Sequence, residues 1–366
     1  MQTPTITTEP NKTHANDEQS TTAKRVTVIF NPVSGVEDPE VRKQKITESL
    51  QQFDYECDFA LTTEQESGTV LAEKALGSGA ELILVSGGDG TVMQVLTAVV
   101  GKNVPVAVIP SGTGNLLSIN LGIPLTIPEA VHTALNGKPY SLDLAKTSDG
   151  RHFAIMGGLG LDANMIADAD RSLKKRLGVV AYFVAAAKNW RKPPLEVQVS
   201  VDGKEPMKRF VSSVLIANMG KITGGVEAVP EASPTSGNLE VAIVKSANFG
   251  QWVRLLWYAF LGRTSDDPGY EHYKATTVDI STKTPQHSQL DGEDAGKISH
   301  LHVKVLPQAV KILLPEQESE SRAIRAQPEV TARHDGDRRV LVLSALLLSL
   351  AAGLLWLREK RQKDQK

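Results

Sequence analysis

Three glycine-bearing loops, each set directly after an apolar run of β-forming residues, constrain this chain more than any other feature. They are Asn31-Pro32-Val33-Ser34-Gly35, Gly87-Gly88-Asp89-Gly90-Thr91 and Pro110-Ser111-Gly112-Thr113-Gly114-Asn115. The runs before them, Val26–Phe30, Leu82–Val85 and Val104–Ile109, alternate with helical patterning over Pro39–Phe53, over Glu64–Gly77 and from Thr91 onward, with a further strand over Tyr55–Leu61. Strand and helix alternating at this spacing build βαβ units, a parallel sheet with helices on both faces. In such a sheet the strand C-termini share one edge, so the three loops converge on one crevice. Glycine lets backbone N–H groups come close to an anion, and the positive end of the following helix adds to the attraction. One such loop alone is more often a plain turn; three in successive units imply a phosphate cradle.

After about Tyr140 the pattern changes to short β runs: Leu142–Lys146, Phe153–Met156, Leu195–Val201, Phe210–Ala217, Leu239–Val244, Thr277–Ser281 and His302–Val305. Asp149-Gly150, Asp202-Gly203 and Ser236-Gly237 supply turns between several of them. This predicts a β-rich second domain over 141–315 beside an α/β domain over 24–140, with the last strand able to return to the first domain. Helical stretches are expected over Ser172–Trp190 and Phe249–Gly262.

Residues 1–23 are polar and lack an apolar signal-type core, which predicts a disordered tail. Residues 316–339 read as a charged linker. They lead into Val340–Leu357, 18 residues without a charge, bracketed by Arg338-Arg339 and a basic tail over 358–366. As a helix that run is about 27 Å long against a ~30 Å hydrocarbon core. Trp356 sits where an interfacial aromatic would. The expectation is a transmembrane or membrane-anchoring helix holding a cytoplasmic catalytic domain; the bland alternative is a buried helix packed on that domain. Lys+Arg 40 against Asp+Glu 42 leaves a net charge of −2, which does not suggest a nucleic-acid partner. The single cysteine, Cys57, excludes an intramolecular disulfide and a zinc site built from cysteines alone.

Asp89 lies between glycines in a strand-to-helix loop, where its carboxylate can face bound phosphates. Carboxylate and phosphate coexist when a cation stands between them, and Mg²⁺ is the usual one. The plainer reading is an Asp that supports its loop by hydrogen bonds. Far along the chain, Asp291-Gly292-Glu293 places two carboxylates around a glycine, either as a simple hairpin turn or as acids delivered to an interdomain cleft.

These loops, together with Gly158-Leu159-Gly160-Leu161-Asp162-Ala163, Ala217-Asn218-Met219-Gly220 followed by Gly224-Gly225, and Asp291-Gly292-Glu293, occur in the order typical of one family. Over about Lys24–Leu314 the chain resembles the diacylglycerol kinase catalytic-domain family, which includes bacterial diacylglycerol kinases, YegS-like lipid kinases, and sphingosine and ceramide kinases. The resemblance implies an α/β fold: an N-terminal phosphofructokinase/NAD-kinase-like parallel-sheet domain, a C-terminal β-sandwich domain, and the site between them. It implies an ATP- and Mg²⁺-dependent kinase of a lipid alcohol, diacylglycerol first and a sphingoid base second, working at a membrane surface or bilayer. By the same resemblance Asn31, Ser34, Gly35, Gly87, Gly88, Gly90, Thr91, Gly112, Thr113 and Asn115 bind nucleotide. Asp89 organises Mg²⁺-ATP, Asp291 is the base on the lipid hydroxyl, and Glu293 assists metal or nucleotide.

Some positions depart from the family pattern. Leu116 follows Asn115 where many bacterial members have Asp, Gln94 stands where Glu is frequent, and Thr235-Ser236-Gly237 replaces the AspAspGly turn of a structural Mg²⁺ site. No second metal is expected at Ser236, and Asp143 is a candidate either for the active-site carboxylates or for a solvated strand edge. Lys174-Lys175-Arg176 and the aromatic face of 249–262 are candidates for resting on a bilayer, or else a solvated charge face and ordinary core. Two rival readings stay open: a kinase of a soluble acceptor, since NAD kinases also carry a GlyGlyAspGly loop, and a non-catalytic nucleotide- or lipid-binding protein.

Overall fold

The computed structural model describes residues 24–160, 194–222, 226–245, 250–251, 254–255, 258 and 263–316. The first unit runs β1 (Lys24–Phe30), α1 (Pro39–Gln51), β2 (Tyr55–Leu61), α2 (Gly68–Gly77), β3 (Ile83–Gly87), α3 (Asp89–Val99), β4 (Pro105–Pro110), α4 (Leu116–Leu121) and α5 (Ile127–Asn136). Its strands pair in the order β2-β1-β3-β4, all parallel. Every residue of β3 is buried, as a central parallel strand covered on both faces requires. Leu71, Val92, Val95 and Leu96 from α2 and α3 pack on Ile29, Val85 and Val108 of one face. Ile46, Leu50, Ala130 and Val131 from α1 and α5 pack on Val28, Phe30, Leu84 and Ile109 of the other. Burying each Val, Leu, Ile or Phe side chain here stabilises the fold by roughly 1.5–3 kcal/mol relative to leaving it exposed.

Local chemistry sets the helix starts. Asp38 caps α1, its Oδ1 accepting from Glu40 N at 2.9 Å and Val41 N at 3.3 Å, with Pro39 in the first turn. α2 begins at Gly68 and not at Glu64, because Thr63 and Glu66 close a turn on each other before Ser67 caps the helix. α4 and α5 went unassigned in the sequence: α4 is under two turns, and Pro128 inside the first turn of α5 punctuates the pattern.

The second unit contains β5 (Lys138–Thr147), β6 (His152–Phe153), β7 (Met156–Gly160), β8 (Leu195–Val201), β9 (Met207–Val211), β10 (Ser213–Ala217), β11 (Lys221–Ile222), β12 (Val226–Glu227), β13 (Leu239–Val244), β14 (Tyr270–Ala275), β15 (Thr277–Leu290) and β16 (Glu293–Leu314). β14-β13-β10-β7-β15 form one layer, and β9-β8-β15-β16-β5 curl into the other. Between them lies a core of Leu159, Val197, Val199, Val214, Ile216, Val241, Ile243, Val278, Ile280 and Val303. The 22-residue β16 joins the units: it pairs β15 and β5 antiparallel, and Lys311 and Ile312 then lie parallel to Pro105 and Val106 of β4. The four N-terminal strands are therefore parallel, but the continuous sheet is mixed.

Two runs that read as single strands are broken. Phe210–Ala217 bends at Ser212, so that β9 pairs β8 in one layer while β10 pairs β7 and β13 in the other. Phe153–Met156 is interrupted at Ala154 and Ile155. The N-terminal tail, the helical stretch Ser172–Trp190 with its basic run, Gly224-Gly225, most of 249–262, and 317–366 with the apolar run 340–357 lie outside the described residues. Among the described residues no helix is long and apolar enough to cross a membrane.

Candidate active site

The first loop leaves β1 through Asn31, whose N–H donates to Ser86 O at 2.9 Å and whose Nδ2 donates to Thr91 Oγ1 at 2.7 Å. Thr91 is buried and packs on Gly87, so this pair ties the first loop to the start of α3; the Thr91 hydroxyl keeps its own proton to donate. Gly35, at φ +80°, lies so close to the third loop that a Cβ would stand 2.2 Å from Ser111 O. At Gly88 a Cβ would meet Ser34 Oγ at 3.1 Å, and at Gly112 it would meet Gly88 Cα at 2.7 Å. The three loops thus touch through atoms that only glycine leaves room for. Asn115 adopts φ +47° and closes the third loop, its Oδ1 accepting from Gly112 N at 2.8 Å and its Nδ2 donating to Gly112 O at 3.0 Å. Gly90 faces open space and Thr113 is exposed at the rim.

Arg42, unmarked by any spacing in the sequence, completes the frame. It is 2% exposed, lies 4.3 Å over the Phe30 ring, and donates to Ser34 O and, at 2.5 Å, to Asn31 O. It holds both ends of the first loop from α1.

Asp89 opens α3, with Oδ1 accepting from Leu117 N at 3.4 Å across the third loop. Burial pushes its pKa up, and backbone N–H groups of 115–117 pull it back. Asp291 arrives from the second unit on a two-residue turn, φ +49° at Asp291 and +82° at Gly292, between the paired Leu290 and Glu293. Asp291-Gly292 is thus a hairpin turn, as the plainer reading has it, and it carries the Asp291 carboxylate to the β6–β7 break. Its Oδ2 accepts from Ala154 N at 2.8 Å, and its Oδ1 accepts from Ile155 N at 2.8 Å and Met156 N at 3.0 Å. Desolvation, aided by the negative charge of Asp89, lifts its pKa from 3.8 to about 6 despite those three donors. The crevice thus brings one carboxylate from each unit within electrostatic reach of the other.

Glu293 is exposed just beyond the turn and makes no ion pair among the described residues. Gln94 does not face the loops; its Oε1 accepts from Gly68 N at 2.9 Å at the start of α2, so the lost carboxylate there is not a loss to the crevice. Leu116 turns its side chain into the apolar cluster below α3, beside Gly114 and Asp89. Asp143 is neither a solvated edge residue nor a member of the carboxylate pair. It is 1% exposed, and its carboxylate accepts from Gly237 N at 2.6 Å and Gln308 N at 2.8 Å, pinning the 235–237 turn and the irregularity in β16.

Among the described residues no three His, Cys, Asp or Glu side chains form a complete metal cage. The chemistry that is present, a desolvated Asp89 carboxylate against the glycine loops, fits a hard divalent cation that would take its remaining ligands from phosphate and water.

The chain matches the diacylglycerol kinase catalytic domain over residues 25–147 and the YegS C-terminal NAD kinase beta sandwich-like domain over residues 154–314. An uncharacterized protein of Synechocystis sp. is 32% identical over 308 residues, covering 80% of this chain and 70% of that protein. The diacylglycerol kinase of Bacillus subtilis is 28% identical over 304 residues, covering 81% of this chain and 98% of that protein. A crystal structure of a diacylglycerol kinase from Bacillus anthracis str. Sterne shares the fold, with a TM-score of 0.60 at 22% identity over 80% of this chain and 97% of that one. With both domains matched in order and the site loops converging as that architecture requires, the chain belongs to the diacylglycerol kinase family and is an enzyme of the lipid kinase class.

Proposed function

We propose that the enzyme transfers the γ-phosphate of Mg²⁺-ATP to the hydroxyl of a lipid alcohol, diacylglycerol first and a sphingoid base second. The observation that carries this reading is that the carboxylates of Asp89 and Asp291, one from each unit, come within electrostatic reach of each other beside the glycine loops. The N–H groups of the three loops and the first turn of α3 receive the phosphates. Asp89 would hold the Mg²⁺, with Glu293 just past the Asp291 turn as a candidate to assist, and the bound ion would supply neutralisation of phosphate charge. Asp291, held by three N–H groups, takes the proton from the lipid hydroxyl as its oxygen bonds to the γ-phosphorus and the bond to the ADP oxygen breaks. Phosphoryl transfer asks for positioning and charge more than covalent chemistry, so this set is sufficient.

The test is transfer of labelled γ-phosphate in mixed micelles to diacylglycerol, monoacylglycerol, sphingosine, ceramide and a water-soluble polyol. Label on a lipid supports the reading and names the acceptor. Label only on the polyol points to a soluble-acceptor kinase, and ATP binding without turnover points to a non-catalytic relative.

Gly112→Ala should disturb the cradle while leaving both carboxyl groups in place, because the new Cβ meets the backbone of Gly88, which cannot swing aside. Turnover is expected to fall by about 10- to 10²-fold, as for a misplacement of about 1 Å. Unchanged kinetics would detach the loop contact from nucleotide binding.

We further propose that 340–357 anchors the catalytic units to the cytoplasmic face of a membrane, a reading supported by the length and apolar character of that run. A chain ending at Glu316 should leave the membrane fraction on sedimentation. It should also need at least ~10-fold more bilayer-dispersed lipid for half-maximal rate, since tethering raises effective concentration. Equal partition of the two chains would remove the anchor.

A further inference from the structure

α1 carries a buried cation that has no carboxylate partner among the described residues. Arg42 is 2% exposed and rests on the Phe30 ring. The acids beside it on the chain are already committed. Glu37, whose charge reaches it, is paired with Lys45; Glu40 is paired with Lys43 at 2.8 Å; and Asp38 caps α1. Its Nη1 donates to Ser34 O and its Nη2 to Asn31 O, while its buried Nε has no hydrogen-bond partner. Two carbonyls and a ring face offset only part of the cost of desolvating a full charge, so this place in the fold is short of one anion.

We propose that Arg42 is a positioning residue for the nucleotide phosphates: it turns the first loop so that N–H groups face them, and its buried charge is balanced when they bind. The inference rests on the reading of the three loops as a phosphate cradle. In a trans peptide the carbonyl and the N–H point in opposite directions. The peptide joining Ser34 and Gly35 is trans and gives its carbonyl to Arg42, so its N–H points away from the guanidinium. The peptide joining Asn31 and Pro32 is held in the same way and has no N–H. Val33 N and Ser34 N donate within the loop, to Asn31 Oδ1 at 3.1 Å and Asn31 O at 3.4 Å. The next two N–H groups, of Gly35 and Val36, make no hydrogen bond among the described residues. Successive unused N–H groups, with the carbonyl before them drawn back, form an anion-binding concavity.

The guanidinium stands directly behind this concavity. Its Nη1 lies 3.4 Å from the point a Gly35 Cβ would occupy, and Ser111 O of the third loop lies 2.2 Å from the same point. The charge is therefore about one residue's thickness from where the first and third loops meet. A peptide whose carbonyl accepts a charge-assisted hydrogen bond is also the stronger donor at its N–H. The planar fork of Arg reaches two carbonyls at once and keeps its charge at any working pH, whereas the ammonium of Lys is a point donor. A clamp that was only structural would hold the loop with or without ligand. Its loss would lower stability and leave the dependence of binding on phosphate charge as it was.

The experiment uses the full chain with Mg²⁺ present and measures binding of ATP, AMP and inorganic tripolyphosphate by calorimetry, together with kcat and KM for ATP. The variants are Arg42→Met, which keeps an unbranched side chain without the charge, and Arg42→Lys. Ile46→Val, one turn further along α1 in the core that includes Phe30, is the control for lost packing. Arg42→Met should weaken ATP and tripolyphosphate by about 10- to 10²-fold, the value of a hydrogen bond to a charged group, and AMP by less than about threefold. KM for ATP should rise by the same factor while kcat at saturating ATP stays within about threefold, the pattern of a lost binding interaction. Arg42→Lys keeps the charge and one bond, so the loss should shrink to about 3- to 10-fold. Ile46→Val should lower Tm and move none of the affinities. If Arg42→Met fails to fold, the KM and tripolyphosphate affinity of Arg42→Lys carry the test. A folded Arg42 variant that binds tripolyphosphate as the wild type does, or that loses AMP as severely as ATP, overturns the proposal and leaves the cradle reading standing. A wild-type protein that binds neither ATP nor tripolyphosphate overturns the cradle reading itself, on which the proposal stands.

Discussion

Asp291→Asn is expected to lower kcat for lipid phosphorylation by about 10²- to 10⁴-fold, the range for loss of a general base, with ATP affinity little changed. The substitution is mild for the fold. Asn tolerates the φ of +49° at this turn, and its Oδ1 can still accept from Ile155 and Met156. Only the bond from Ala154 N is lost, because the new NH₂ has nothing to accept there. What disappears is the proton acceptor. The wild-type profile carries the matching signature: with the Asp291 pKa at about 6, kcat/KM should fall tenfold per pH unit below about 6 and level off above it. A lipid kinase rate retained in Asp291→Asn, or a profile flat down to pH 5, would remove Asp291 from the proton transfer.

The same shift has a consequence for stability. The folded-state value lies above the ordinary 3.8, so the folded protein binds this proton more tightly than the unfolded chain. The stabilisation is complete below about pH 3.8 and is lost as pH rises through about 6. Above pH 6 the site therefore holds an ionised carboxylate at a cost to the fold, the situation common at functional sites.

Asp89→Asn should have the second large effect, about 10²-fold or more on kcat, because the charge that holds Mg²⁺ against the phosphates is worth several kcal/mol in the transition state. It differs from Asp291→Asn in two readouts. The Mg²⁺ concentration for half-maximal rate should rise for Asp89→Asn and stay fixed for Asp291→Asn. The acid limb should also move to lower pH in Asp89→Asn, since the neighbouring negative charge that raises the Asp291 pKa is gone. Unaltered Mg²⁺ dependence would sink the metal role of Asp89.

Much of the first unit was legible along the chain. The runs before the three loops are buried β strands, and buried strands of a parallel sheet announce themselves as short apolar stretches ended by glycine. β2, β8 and β13 run over the expected spans Tyr55–Leu61, Leu195–Val201 and Leu239–Val244. The breaks were not legible. Phe153–Met156 and Phe210–Ala217 carry no Gly or Pro to mark a break, and what interrupts them is the choice of partner strand, which lies far away in sequence. The surroundings of Gln94 and Asp143 were not legible for a related reason. A polar side chain of fixed type can point to a crevice, to a helix start or to a buried turn, and only the packing around it selects one.

By itself the sequence determined the local grammar: which segments form strands and helices, where glycine must stand, and that an Asp-Gly pair makes a tight turn. These follow from backbone sterics and from the periodicity of apolar residues, which act over a few positions. Only the tertiary structure decided that Asp291 comes within electrostatic reach of Asp89 and that the β6–β7 break turns three N–H groups toward one carboxylate. Those arrangements join residues more than sixty positions apart through desolvation and hydrogen bonding, which exist only once distant strands of the second unit pair and, for Asp89 and Asp291, once the two units come together.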